Sequence, residues 1–293
     1  MTSLSDRSRR LTLGHLLGET QQSLAAAEGI TQGAVSQNLR SSGGLALIAG
    51  HGCWSPEMML VLALLLFVVG VADVMRPLRL PSVPAHVSTL GAGLTAALLG
   101  AWAIGLPPGA WWIVIVLLLV LAAWLVVPSL PFTRARACGI GVLAGAVLTV
   151  LAFGQHLRPD GGAVVRWYHT LDIAALDDVG AERFVLAASC LVFLHSSANV
   201  VVRLVLAGSG PHVLESENTL KGGRILGPLE RWFIFSMALA GQFGAIAAVV
   251  AAEGIVRFPE ISRSDASGNK AEYVLVGSFV SWMLALVFVP LVK

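Results

Sequence analysis

His195, Asn199 and Arg203 recur at i, i+4 and i+8 inside FLHSSANVVVRLVL. That spacing sets three polar side chains in one stripe on one face of a helix. A later apolar stretch opens on Glu230-Arg231-Trp232, carries Gln242 near its middle and closes on Glu253 and Arg257. Glu253 and Arg257 stand four apart and can pair on one helix face. Together these residues could form a polar pathway or binding site between two membrane helices. Charged groups near a bilayer centre cost at least about 2.5–3.5 kcal/mol on insertion scales, so they persist when paired or when they face a wet interior.

A structural reading competes for each residue. Long charged side chains at span ends reach the interface, which suffices for Arg203, Glu230, Arg231 and Arg257. Asn, Gln, Ser and His inside a bundle hydrogen-bond across helices. Gln242 stands apart because it lies far from either end of its stretch. It follows Gly241, and Gly241 with Ala245 is a small-xxx-small pair. A close helix contact there would aim the Gln242 amide into the bundle.

Other constellations are weak. Gly-x-Ser-x-Gly, Walker A, HExxH and GxGxxG patterns are absent, so no enzyme, catalytic residue or cofactor is expected. His195 is followed by Ser196 and Ser197, but neighbours in sequence point to different faces of a helix. Cys53, Cys138 and Cys190 stand far apart with no CxxC pair, which excludes a disulfide framework and a zinc site of usual spacing. His156, Asp160, His169, Asp172, Asp177 and Asp178 read as a solvated loop, and no metal is expected there. Within that loop WYHTLDIAAL has an apolar face suited to the membrane interface.

The elements that position these residues follow from composition. The 293-residue chain is 56% hydrophobic and 12% charged, with a mean hydropathy of +0.80. Soluble domains carry about 25% charged residues. A net charge of +2 is too small to argue for a nucleic-acid partner across the whole protein. The reading is an all-α, polytopic transmembrane helical bundle over 56–292, preceded by a small segment over 1–45. Seven spans are expected, at Glu57–Met75, His86–Leu106, Ala110–Leu130, Ala137–Gln155, Phe184–Ala207, Leu229–Phe258 and Tyr273–Leu291. Leu106-Pro107-Pro108-Gly109 turns the second and third into an antiparallel hairpin. The fourth is rich in Gly and Ala, which lets helix backbones approach closely in lipid. The sixth is expected as one continuous helix, with Pro228 at its start and Pro259 past its end. The short loops carrying Arg76, Arg79, Arg134, Arg136, Lys221 and Arg224 belong in the cytoplasm by the positive-inside rule.

The segment TQQSLAAAEGITQGAVSQNL resembles a helix-turn-helix. Ala25 is the small residue at the helix crossing, and Gly29 supplies the positive φ of the turn. Thr31 suits the N-cap of the second helix and Val35 its buried aliphatic. Gln32, Ser36, Gln37 and Arg40 are the candidate DNA contacts. Glu28 takes a position usually held by an aliphatic, and Gly33 costs the second helix about 1 kcal/mol relative to Ala. The unit is too small for an independent core. The balance favours a degenerate or partner-dependent unit over a DNA-binding domain. The segment resembles the helix-turn-helix that ends SatD-type bacterial proteins.

GRILGPLER, GQFGAIAAVVAAEGIVRF and AEYVLVGSFVS resemble the carboxyl-terminal signature of a bacterial multi-pass membrane family of unknown function. The matching positions are Gly223, Arg224, Gly227, Glu230, Arg231, Gly241, Gln242, Arg257, Phe258, Glu272, Tyr273 and Gly277. Glu253 stands where that family often carries Lys. The resemblance implies a helical bundle in the bacterial cytoplasmic membrane and no particular chemistry. The expected function is a non-enzymatic, membrane-anchored regulatory or partner component. The alternative is a transporter or channel using a polar pathway between the fifth and sixth spans. Expected partners are the lipid bilayer and either a protein partner or a second copy of the chain.

Overall fold

The computed structural model describes residues 11, 21–31, 34, 35, 54–76, 83–130, 134–171, 173, 179–206, 223–262 and 269–293. The chain divides into two compact units, Met1–Ser55 and Pro56–Lys293. The described residues are helical or lie in turns, with no strand among them.

In the first unit, helix α1 (Gln21–Glu28) stops at Gly29, whose φ is 64°. The Gly29 N–H bonds Ala26 O at 3.4 Å and the Ile30 N–H bonds Ala25 O at 3.0 Å. This pair closes a helix through one left-handed residue and satisfies carbonyls that the helix end leaves bare. Thr31 Oγ1 then accepts the Ala34 N–H at 3.2 Å, as an N-cap side chain does. Leu11, Leu24, Ala25 and Val35 are buried together, with Ile30 packed against them. Gln32, Ser36, Gln37 and Arg40 lie outside the described residues.

The second unit is a helical bundle. Its main helices are α2 (Pro56–Val74), α3 (Val83–Ala103), α4 (Trp112–Val126) and α5 (Ala135–Phe153). They are followed by α6 (Gly162–His169), α7 (Ala181–Leu206), α8 (Gly223–Leu239), α9 (Phe243–Ser262), α10 (Asn269–Val287) and the single turn α11 (Val289–Val292). Helix α2 is the axis and packs against α3, α5 and α7. It is buried from Met58 through Asp73 apart from Phe67 and Val71. Small residues allow this: a Cβ on Gly70 would lie 2.9 Å from Val192 Cγ1 and 3.0 Å from the Phe193 amide nitrogen, so α2 and α7 touch backbone to backbone. Helices α3 and α4 form the expected hairpin, closed at Gly105 by the Leu106 N–H to Ala101 O bond of 2.9 Å.

Five helical segments are long and apolar enough to cross a membrane: Pro56–Val74, Pro108–Val126, Ala135–Leu157, Ala181–Leu206 and Leu275–Val292. The expected seven spans reduce to these five among the described residues. Helix α3, 21 residues long, is not among these five. The expected sixth span is not one helix.

That span breaks at Ala240-Gly241-Gln242. Gly241 has a φ of 71°, its N–H bonds Ala238 O at 3.1 Å, and the Gln242 N–H reaches Met237 O at 2.8 Å. The Gln242 carbonyl then starts α9 by accepting Ala245 N–H at 3.1 Å. The break reverses the direction of the chain. Arg231 on α8 touches Ser281 on α10, and Phe243 lies under Lys293 Nζ at 5.8 Å. Helices α8 and α10 therefore run the same way and end together. From Asn269 to Lys293 is about 36 Å of helical rise. The 263–268 link can reach only about 25 Å. If α9 continued outward from Phe243, that link could not return the chain to Asn269. Helices α8 and α9 are thus a helical hairpin. The apolar part of α9, Phe243–Val256, covers about 21 Å, short of a bilayer core of about 30 Å.

A Cβ added to Gly241 would have nothing within 4 Å, so only its backbone conformation demands glycine. Gly241→Ala is expected to cost about 1 kcal/mol, and Gly241→Asn less, because Asn tolerates the left-handed region. Thermal unfolding in lipid nanodiscs would measure both. An unchanged midpoint for Ala would mean that the turn is not closed this way.

Candidate functional site

Arg231 is the centre of the site, although the sequence alone places it at the interface. That expectation rests on Pro228 starting the helix. Instead Pro228 lies inside α8, which begins at Gly223. Arg231 therefore sits a turn and more inside. Its stripe is also the inward one: Arg231, Ile234, Phe235 and Ala238 are 2%, 1%, 1% and 0% exposed. Those positions follow i, i+3, i+4, i+7, the apolar period of a buried helix face. That period was the signal available in the sequence. Interfacial snorkelling is excluded for Arg231 by this burial.

The guanidinium spans a junction of three helices. Nε donates to Leu194 O on α7 at 2.8 Å. Nη2 donates to Asn199 Oδ1 on α7 at 2.7 Å, and Nη1 to Ser281 Oγ on α10 at 2.9 Å. Leu194 lies 13 residues after Ala181 and 12 before Leu206, the middle of α7. A charge therefore sits at mid-helix, hydrogen-bonded to the neutral Leu194 O, Asn199 and Ser281, with the Glu230 carboxylate acting on it electrostatically. The planar fork explains the choice of arginine, since separate acceptors on two helices need donors in fixed directions. Trp232, next in sequence, donates Nε1 to Leu191 O at 2.9 Å. Two successive side chains of α8 thus hold carbonyls of α7.

The other candidates divide around this centre. Asn199 joins it, and its Nδ2 also donates to His195 O at 3.1 Å. His195 is exposed, with its ring 5.5 Å from that of Trp232. Glu230 is half-buried and acts electrostatically on Arg231. Arg203 is half-buried further along α7. Gln242 does not point into the bundle. It is exposed at the hairpin turn, because the expected close contact at Gly241 does not form. Glu253 is half-buried on α9, which packs on α8 and α10. The Arg257 side chain lies outside the described residues. Ser281 was missed altogether, although it falls on the buried stripe Ser281, Ala285, Phe288, Val292 of α10 and α11.

A second polar cluster, also missed, is built on α2. Asp73 Oδ2 accepts Trp124 Nε1 from α4 at 3.0 Å, and Oδ1 lies 3.5 Å from Arg76 Nη1. Its sequence signal was a carboxylate at the end of an apolar span, three residues before Arg76. No group of His, Cys, Asp and Glu suited to a metal occurs among the described residues. The short helix expected from Trp167 onward instead covers 162–169, and Tyr168 anchors it by donating to Val179 O at 2.6 Å.

Fold and site define an all-helical bundle of membrane type with a buried cation at mid-helix. No protein-family model, curated protein or solved structure matches the chain.

Proposed function

We propose that the protein is a non-enzymatic transport protein of the bacterial cytoplasmic membrane, with a solute pathway that passes Arg231. One observation carries this reading: a guanidinium at mid-helix, 2% exposed, with neutral hydrogen-bond partners on two neighbouring helices. Ionisable groups at membrane depth are costly to insert and commonly mark substrate or ion pathways. A fixed guanidinium selects for a carboxylate or phosphate group, which it binds through two parallel hydrogen bonds.

Accessibility tests this without knowing the solute. Cys53, Cys138 and Cys190 are replaced by Ala, and Asn199→Cys is introduced. A charged, membrane-impermeant thiol reagent is then added to sealed vesicles from each side. The transport reading expects the introduced thiol to be labelled from an aqueous side. Absence of labelling from both sides would overturn it.

A second reading, a membrane-anchored regulatory or partner component, is favoured by the first unit. Its buried cluster of Leu11, Leu24, Ala25 and Val35, with the Thr31 cap, suits a small helical module that completes its fold on a partner. The SatD-type likeness would make that partner DNA-linked.

A further inference from the structure

The transport reading leaves the Asp73 cluster unused. The Asp73 side chain has no exposed surface, while that of Arg76 is 24% exposed. The Trp124 bond at 3.0 Å is a good one, whereas the Arg76 contact at 3.5 Å is at the limit of a hydrogen bond. Ser197 on α7 faces the same carboxylate. Its residue is 0% exposed and its Oγ makes no hydrogen bond of good geometry. The cluster therefore joins α2, α4 and α7, with Ser197 its least tightly engaged polar side chain.

An ionised carboxylate is an acceptor with about four lone-pair sites, and a protonated one gains a donor. Trp124 and Arg76 account for part of that capacity. The Ser197 hydroxyl donates toward the ionised carboxylate. A hydroxyl can also accept, so it can turn to receive an O–H once Asp73 is protonated. We propose that Asp73 is a reversible proton-binding site, with Ser197 as the acceptor that the added proton engages. One proton passes from hydronium at the Arg76 end of α2 to Asp73 Oδ1, leaving water and a neutral carboxyl. The new O–H turns to Ser197 Oγ, Trp124 Nε1 stays on Oδ2, and Arg76 loses its charge partner and swings to the interface. Arg76 is the charged group that acts on this carboxylate, while α4 and α7 present the neutral Trp124 and Ser197. Ser197 and Asn199 lie on one turn of α7, with Asp73 on one and Arg231 on the other. Proton binding therefore bears on the turn that holds Arg231. The site itself does not depend on the transport reading, since a proton can load Asp73 whether or not a solute passes Arg231.

The test is pH-difference infrared spectroscopy of the full chain in lipid. Expected is a carboxylic-acid C=O band on acidification that is lost in Asp73→Asn. Ser197→Ala and Trp124→Phe should keep the band and move its frequency, because each removes one hydrogen bond from the carboxyl. A band that survives in Asp73→Asn, or no such band in the wild-type chain, overturns the proposal. If Asp73→Asn fails to fold, the other two variants decide, and a band unmoved in both overturns it equally.

Discussion

Arg231→Ala is expected to lower the stability of the bundle by about 3 kcal/mol, the largest single effect outside the backbone contacts. A hydrogen bond to a charged group is worth about 1.5–3 kcal/mol, and three such bonds on one side chain are not additive. Truncation also leaves a cavity among α7, α8 and α10, and leaves Ser281 Oγ and Asn199 Oδ1 without their donor. Arg231→Lys should recover only part of the loss. Its single nitrogen cannot reach Leu194 O, Asn199 Oδ1 and Ser281 Oγ together. Arg231→Met is the informative comparison. It fills the volume and removes the charge, and an apolar replacement of a buried ion is often close to neutral. A Met variant as stable as wild type but defective in vesicles would show that arginine is retained for its chemistry. Unfolding of each variant in bicelles supplies the stabilities. An Ala variant that unfolds like wild type would remove the argument for a clamp.

How much of this was legible follows from what hydropathy measures. Apolar length located the helices, because a bilayer core demands it. It could not rank them by burial, since lipid tails are as apolar as leucine. Helix α4, WIVIVLLLVLAAWLV, is the more apolar, yet its Ile115, Val116 and Leu119 are exposed while α2 forms the axis. The hairpin at Gly241 was hidden for a related reason. Glycine followed by glutamine reads equally well as a helix contact or as a helix stop, and the stop depends on a positive φ that sequence does not state. Asn199 was legible because its partner lies across a helix pair, as its type and stripe implied. Arg231 is misplaced by any reading that starts its helix at the proline. Proline at the sixth residue of α8 instead costs the helix one hydrogen bond and leaves Arg231 deep. Asp73 and Ser281 were overlooked because single polar residues in an apolar run show their partners only in three dimensions.

The crossing of α2 and α7 gives the second large effect. Gly70→Ala is expected to cost about 2 kcal/mol, the middle of the range for overpacking a tight core. A methyl there would stand 2.9 Å from Val192 Cγ1, 3.0 Å from the Phe193 amide nitrogen and 3.1 Å from the Val192 carbonyl carbon. Two of these are backbone atoms that no rotamer change can withdraw, so the helices themselves must part. Gly145→Ala on α5 is the control. Nothing lies within 4 Å of its added methyl, and alanine favours a helix over glycine by about 1 kcal/mol. The two glycine-to-alanine changes should therefore move stability in opposite directions, and the same unfolding assay reads both. Gly70 and Asp73 are three residues apart on one face of α2, so parting the helices at Gly70 also draws Asp73 from Ser197. The infrared band of Asp73 should then shift as it does in Ser197→Ala. A destabilised Gly70→Ala with an unmoved band would mean that the helices hinge rather than separate, which keeps the crossing but detaches the proton site from it.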